Sequence, residues 1–313
     1  MNGSPLRVVF AGLAHSHPYT DAANVLALGA DVVGVHDSDP AAVEDFTGRY
    51  GGAAVASAAD LSALDPDLVI ATPRPHEVVP LLEVLGGAGI PVFVNKVIAS
   101  TPAGLAEIDR VVAATSSPVG TSSVLRFAPA LRALAAEVRA QKVLGLRVHA
   151  QHDNTGFQLP DRSWQDDPQR GGGTLVTVGI HAWEMLDVVL PGATLVEGTG
   201  WTRAYSGSET ASEDAAGVDV RMRVPGMARE VPVQVLITGI RGADAYSVDV
   251  ITATGIHSVR LDVEDANEAL GFRGLAGALL DAAQRGATIA AWSQARAVVA
   301  NSVGAAEIAR GGA

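Results

Sequence analysis

The segment Gly12-Leu13-Ala14-His15-Ser16-His17 follows an apolar run, Leu6–Ala11, and precedes a stretch of helical character. A tight turn between a buried strand and a helix N-terminus offers backbone N–H groups and a positive dipole end to a pyrophosphate. The spacing is that of G-x-G-x-x-G with Ala14 in second place and His17 in third, so the motif rests on its strand–loop–helix context. A second apolar run, Asp31–His36, ends at Asp37, twenty-five positions after Gly12. That is close to the ~20-residue separation of the acid that accepts the hydroxyls of an adenosine ribose. No arginine or lysine lies between His36 and Asp45. A 2′-phosphate would therefore meet carboxylates, and the loop reads as a site for NAD, with NADP the weaker candidate. The other reading is a strand-end aspartate in a doubly wound fold that binds no nucleotide.

Further along, Lys96 ends the apolar run Pro91–Asn95, and lysine is rarely buried without purpose. His181 stands in an otherwise apolar helical stretch behind Gly171-Gly172-Gly173. An imidazole titrates near neutrality and suits proton transfer; the alternative is a hydrogen-bonded core histidine. Arg126, His152, Asp153, Trp164 and Trp183 are candidates for contacting a small substrate. His15 and His17 could contact pyrophosphate or substrate, or cap a helix. A metal site built from His149, His152, His181 and Glu184 is set aside, because His149 and His152 project to opposite faces of a regular strand.

The elements that must position these residues follow two rhythms. Through about residue 122, strand-length apolar runs alternate with helical stretches, the pattern of a parallel sheet covered by helices. After that come longer strands (Leu144–His152, Val196–Tyr205, Ala216–Val224, Val231–Gly239, Tyr246–Ala253, Ile256–Asp262) and a helix over Thr174–Leu190. The expected fold is an α/β Rossmann domain over 1–122, then an α+β domain with an open, mostly antiparallel sheet over 123–291. A terminal helix over 292–313 is expected to pack back on the N-terminal domain. At 313 residues, 48% hydrophobic and 18% charged, the chain has ample core for two domains. A net charge of −12 speaks against a general nucleic-acid binder. With no cysteine, disulfides and thiolate chemistry are excluded. Met1–Pro5 carry no leader-like pattern and no apolar run nears the ~20 residues of a membrane helix, so a cytoplasmic protein with no membrane partner is expected.

With these markers together, the chain resembles the Gfo/Idh/MocA family of NAD(P)-dependent oxidoreductases, which act mostly on sugars, cyclitols and related polyols. The resemblance is carried by the Gly12–His17 loop, Asp37, Ala71-Thr72-Pro73 with His76, and Pro91–Lys96. Arg126-Phe127-Ala128-Pro129 and Gly171–Leu175 running to Gly179 and His181 complete it. It implies that Gly12, Leu13, Ala14, His15, Thr72, Pro73, His76 and Asn95 lie at the cofactor, with a small-molecule substrate beside it. Lys96 would hydrogen-bond the reacting hydroxyl and the nicotinamide ribose, and His181 would take the hydroxyl proton. A homodimer or homotetramer through the open sheet face is also implied. Two departures stand out. The family's Glu-Lys-Pro reads Asn95-Lys96-Val97; a cis bond before a non-proline costs about 2.5–4 kcal/mol, so a trans bond is expected. Thr177 stands where the family often has an aspartate one turn before the histidine, and shares a helix face with His181 at i, i+4, but it cannot carry charge. The expected function is an oxidoreductase acting on a sugar- or polyol-like molecule. A catalytically silent NAD-binding regulator and an NAD-using lyase or glycosidase are the alternatives.

Overall fold

The computed structural model describes residues 4–205 and 208–311; the reading of Met1–Gly3 as leaderless lies outside them. The chain forms two units, the first up to Ile98 with Ala106–Ser122 and Phe272–Ala295, the second Ala99–Leu105, Ser123–Gly271 and the chain from Arg296 on.

In the first unit β1 (Arg7–Ala11), β2 (Asp31–His36), β3 (Ala53–Ala54), β4 (Leu68–Ala71), β5 (Val92–Asn95) and β6 (Val119–Ser122) form a sheet of order β3-β2-β1-β4-β5-β6. Every pairing is parallel. β4 and β5 are buried along their whole length, which explains why they read as continuous apolar runs: helices cover both faces of such a sheet. α1 (His17–Ala27), α2 (Pro40–Tyr50), α3 (Val78–Leu85) and α4 (Pro102–Ala114) are the crossovers. α2 starts where chemistry dictates. The Asp39 carboxylate accepts from the Ala41 N–H at 2.9 Å, and Pro40 follows at the first helical position. Phe46 is the one buried residue of α2. Its ring lies 5.0 Å from Phe10 of β1, 5.1 Å from Tyr50 and 5.7 Å from Tyr19 of α1, so one side chain fastens the helix to the sheet.

In the second unit come α5 (Pro129–Val138), β7 (Val143–Gln151), α6 (Gly173–Thr177), α7 (Gly179–Val189), β8 (Thr194–Arg203), β9 (Ala215–Arg223), β10 (Val231–Thr238), β11 (Ala245–Thr252), β12 (Ile256–Arg260) and α8 (Ala266–Ala269). The sheet runs β12-β11-β7-β10-β9-β8, antiparallel except for the β7–β10 pair. β10 shows how it is packed. Val231, Val233, Val235 and Ile237 are buried toward the helices, while Pro232, Gln234 and Leu236 face out. On that open face Arg147 donates to Gln234 at 3.1 Å and Gln234 to Asp219 at 2.8 Å, a polar ladder across three strands. The sheet is thus open and mostly antiparallel, as expected.

Two expectations need correction. The second domain was drawn over 123–291 with a terminal helix returning to the first. Instead α9 (Phe272–Ala283) belongs to the first unit, where Leu275, Ala276 and Leu279 are buried and the helix packs on α1. α10 (Trp292–Gly311) changes unit after its first turn. Asn301 accepts from the Leu195 N–H at 2.9 Å and donates to the Ala193 carbonyl at 2.8 Å. Arg310 donates to the Gly172 carbonyl at 2.7 Å and to Glu213 at 3.0 Å. The second correction concerns the helix expected over Thr174–Leu190. It is interrupted at Val178, where the His181 N–H bonds the Val178 carbonyl three residues back, at 3.1 Å.

Phe46→Ala should cost about 3–5 kcal/mol, the range for a buried phenylalanine, read from urea unfolding with the denaturant slope unchanged. A loss below about 1 kcal/mol would mean that α2 is held by something else.

Candidate active site

The first unit has strand order 3-2-1-4-5-6, and the crevice where that order reverses lies at the C-terminal ends of β1 and β4. Gly12 sits there with φ +86°, and a Cβ on it would lie 2.9 Å from the Thr72 carbonyl oxygen. Glycine is required by the turn itself, before any ligand is considered. Three consecutive N–H groups then lock the loop. Gly12 donates to His36 O at 2.8 Å, Leu13 to the Asp37 carboxylate, and Ala14 to Thr72 O at 3.1 Å. These residues shape the loop and allow close approach, while their own N–H groups are used inside the protein. Asp37 closes β2 as expected, half-buried, with its second oxygen accepting from Asp39 N–H at 2.8 Å. The N-terminus of α1 carries no side-chain cap and no acid in its first turn, the chemistry an anion at a helix end requires.

His15 ties this loop to Lys96. Its Nδ1 accepts from the His17 N–H at 3.2 Å, so the proton sits on Nε2, which lies 3.3 Å from the Lys96 carbonyl. The His17 ring stands edge-on to His15 at 4.6 Å and to Phe272 at 5.3 Å, filling the space that a third glycine would leave open. Asn95 is buried and donates to Thr72 Oγ1 and to Asp21, both at 2.9 Å. The Lys96–Val97 bond is cis, against the expected trans; the buried segment Val97–Ala99 sets the backbone path there over the local preference. Pro73 is buried, whereas His76 is exposed on the short turn Pro75–Glu77.

The second unit gathers a different set. His181 is buried near the start of α7, and its Nδ1 lies 2.6 Å from Ser123 Oγ, which also accepts from the Leu125 N–H at 3.2 Å. The Tyr246 ring is 5.5 Å from the imidazole; burial, and then Asp244, push the Tyr246 hydroxyl pKa up. Along α7, Glu184 and Asp187 follow His181 at three-residue steps and lie on one helix face. Glu184 accepts from the Ser123 N–H at 3.1 Å and from Arg126 Nε; Asp187 accepts from Arg126 Nη2 at 2.6 Å and from Gly192 N–H at 2.8 Å. Burial pushes the Glu184 pKa up, against the pull of Arg126. Arg126, expected to contact substrate, is instead engaged by two buried carboxylates.

The remaining candidates are scattered. His152 pairs with Asp244 at 2.9 Å and is 47% exposed. Asp153 holds a turn through Thr155 and Gly242, and the Thr155 hydroxyl bond lowers its pKa. Trp164 and Trp183 are buried, with no partner for either indole N–H among the described residues. The Thr177 hydroxyl donates to the Gly171 carbonyl at 3.2 Å. The break at Val178 puts Thr177 on a different helix from His181, so the expected shared face is absent. The residues that sequence reasoning missed are Ser123, Tyr246, Asp244, Asp187 and Asp21. Glu184 had been considered only as a metal ligand. The His181-x-x-Glu184-x-x-Asp187 spacing was a readable signal; Ser123, 58 positions from His181, left none.

No family model and no curated protein matches this chain. Solved structures do match, over nearly its whole length. GenD2 from gentamicin A biosynthesis, in complex with NAD, is 19% identical at TM-score 0.81, covering 99% of this chain and 94% of that one. A myo-inositol dehydrogenase from Corynebacterium glutamicum is 16% identical at TM-score 0.80, covering 98% and 97%. The chain has the fold of these dehydrogenases. A third such structure, scyllo-inositol dehydrogenase from Lactobacillus casei with bound NAD(H) and scyllo-inositol, is 13% identical at TM-score 0.79, covering 98% and 96%. This dehydrogenase fold is the one the Gfo/Idh/MocA resemblance implies.

Arg126→Leu should cost about 3–5 kcal/mol at pH 8, because it leaves two buried carboxylates without their cation. Glu184, already pushed up by burial, would then hold its proton more tightly folded than unfolded, so stability falls as pH rises from the unfolded carboxylate range. Urea unfolding at pH 5 and pH 8 checks this, and a cost equal at both would contradict the charge assignment.

Proposed function

We propose that this chain is an NAD-dependent oxidoreductase transferring hydride between nicotinamide and a hydroxyl or carbonyl of a sugar- or polyol-like small molecule. The observation that carries the reading is the Gly12 turn at the sheet's switch point, with Asp37 at the end of β2 and an uncapped α1 behind the loop. This donor and acceptor set fits a dinucleotide without a 2′-phosphate. The neighbouring folds support it: GenD2 was solved with NAD, and the L. casei enzyme with NAD(H) and scyllo-inositol.

In this reading Asp37 binds the adenosine ribose, and Gly12, Leu13, Ala14 and His15 admit the pyrophosphate. Thr72, Pro73, His76 and Asn95 line the same cofactor. When bound, the dinucleotide supplies the hydride acceptor or donor. Lys96 hydrogen-bonds the reacting oxygen. His181 exchanges its proton through Nε2, the imidazole being oriented at Nδ1 by Ser123. His152, Asp153, Trp164 and Thr177 are the remaining substrate-side candidates. Arg126 acts through Glu184 and Asp187 on α7, which carries His181.

Among the described residues no helix is long and apolar enough to cross a membrane, and a cytoplasmic location is proposed. Self-association through the open face of the second-unit sheet is proposed as well. A hollow of about 660 Å³ lies on that face, lined by Arg147, Asp219, Arg221 and Gln234, and Leu144 and Leu236 are exposed. A second reading, a regulator that binds NAD without turnover, draws on Thr177, whose position supplies no carboxylate to His181.

NAD should bind more tightly than NADP, because Asp37 accepts hydroxyls and repels a 2′-phosphate. Calorimetric titration of both decides it, and equal affinity would remove Asp37 from the site. Lys96→Ala and His181→Ala should each lower turnover by about 10²–10⁴-fold, with NAD affinity far less affected by the second. Turnover in neither variant nor wild type across a broad polyol panel, with NAD bound, would favour the regulator.

A further inference from the structure

One buried polar cluster in the first unit holds a carboxyl, Asp21, to which the proposed chemistry gives no part. Asp21, on α1, is 1% exposed, and Asn95, at the end of β5, is 2% exposed. Asn95 Nδ2 donates to Asp21 Oδ2 at 2.9 Å and, with its other hydrogen, to Thr72 Oγ1 at 2.9 Å. The cluster thus joins α1, the end of β4 and the residue immediately before Lys96. Two atoms in it have no hydrogen-bond partner among the described residues: Asp21 Oδ1 and Asn95 Oδ1. Both are acceptors if Asp21 is ionised, and a buried acceptor left unsatisfied costs roughly 1–3 kcal/mol. A single proton on Asp21 would turn one orphan into the donor that the other lacks.

We propose that Asp21 is a positioning residue of the cofactor site that works as a neutral carboxylic acid, its Oδ1–H donating to Asn95 Oδ1. Together with the existing bond, this makes a two-hydrogen-bond acid–amide pair that fixes the strand end bearing Lys96. The proposal rests on the reading of this edge as the cofactor site. Several ionisable groups lie on the elements around Asp21. The ionisable groups on elements packed against α1 are Asp31 and His36 of β2, Glu44, Asp45, Arg49 and Tyr50 of α2, and Arg273 and Asp281 of α9. α1 itself adds His17 and Tyr19, Lys96 follows β5, and β4 has none. Burial alone, opposed only by the Asn95 amide, pushes the carboxyl up to about 7.

The sign of the pH effect follows. The unfolded chain releases this proton in the ordinary carboxylate range near 4, and the folded protein near 7. Between those values the folded state binds the extra proton, so wild type loses stability relative to an uncharged isostere as pH rises, and the difference is level above. Asp21→Asn is that isostere, since its amide N–H can donate to Asn95 Oδ1 and its carbonyl can accept from Nδ2.

The experiment compares wild type, Asp21→Asn and Asp21→Leu. Without cofactor, infrared difference spectra at pH 5.5 should show a protonated-carboxyl band in wild type that Asp21→Asn lacks and that fades as pH rises through 7. Thermal unfolding should show the stability gap between wild type and Asp21→Asn growing from pH 4 to 7. With NAD, wild-type affinity should fall roughly tenfold from pH 6 to pH 8.5 as a buried negative charge develops, while Asp21→Asn stays level. Asp21→Leu, folded by circular dichroism, should bind NAD weakly at both. An absent band, or a stability gap that does not change with pH, overturns the neutral acid. Equal NAD affinity in Asp21→Leu and wild type overturns the positioning role. A wild type that binds no NAD at any pH overturns the functional reading instead, and the band and stability profile still judge the acid–amide pair.

Discussion

β1 leaves its sheet across the carbonyl of Thr72, and only a residue without a Cβ can make that exit. Gly12 does so at φ +86°, where any side chain would meet the Thr72 backbone at about van der Waals overlap. The backbone of Gly12–Ala14 is then fastened to β2 and β4 through His36, Asp37 and Thr72. Everything else at this edge is placed by that contact. It sets where α1 begins, and so where His15 reaches the Lys96 carbonyl and Asp21 reaches Asn95. A parallel sheet ends its strands at one edge, so residues far apart in sequence are brought to the same line with little further machinery.

Buried polar clusters carry the second layer of organisation, one in each unit. Around Arg126, one guanidinium faces two carboxylates, and Ser123 connects that set to His181 by a backbone N–H and a hydroxyl. Such a set adds little net stability over a well-packed apolar core, but losing one partner is costly. Its effect is therefore on geometry: the face of α7 that carries Glu184 and Asp187 has one register in which all its hydrogen bonds are made.

The departures from the family pattern are each absorbed locally. Ala14 donates to Thr72 where a second glycine would stand, and His17 packs its ring against His15 and Phe272. Asn95 gives both amide hydrogens to neighbours, one to Asp21 and one to Thr72. Thr177 turns to Gly171, and the Ser123 hydroxyl lies against His181 Nδ1.

Much of this was legible in the chain itself. Apolar runs and turn residues marked β2 to the residue, because a buried parallel strand is a local pattern. Gly12, Asp37, Lys96 and His181 were singled out for the same reason: each stands at the end of a strand or in an apolar stretch where its type is out of place. What the residues could not reveal was long-range. Arg126 reads as a substrate contact until Glu184 and Asp187, some sixty positions on, are folded against it. The terminal helix over 292–313 reads as one that returns to the first domain, and which unit α9 and α10 each join depends on Asn301, Arg310 and the apolar face that receives it. The helix break at Val178 and the bond before Val97 are likewise outcomes of packing. Sequence determined the elements and the unusual residues, through interactions within a few positions. Tertiary structure alone decided the partners, because a hydrogen bond or ion pair across sixty residues leaves no periodicity to read.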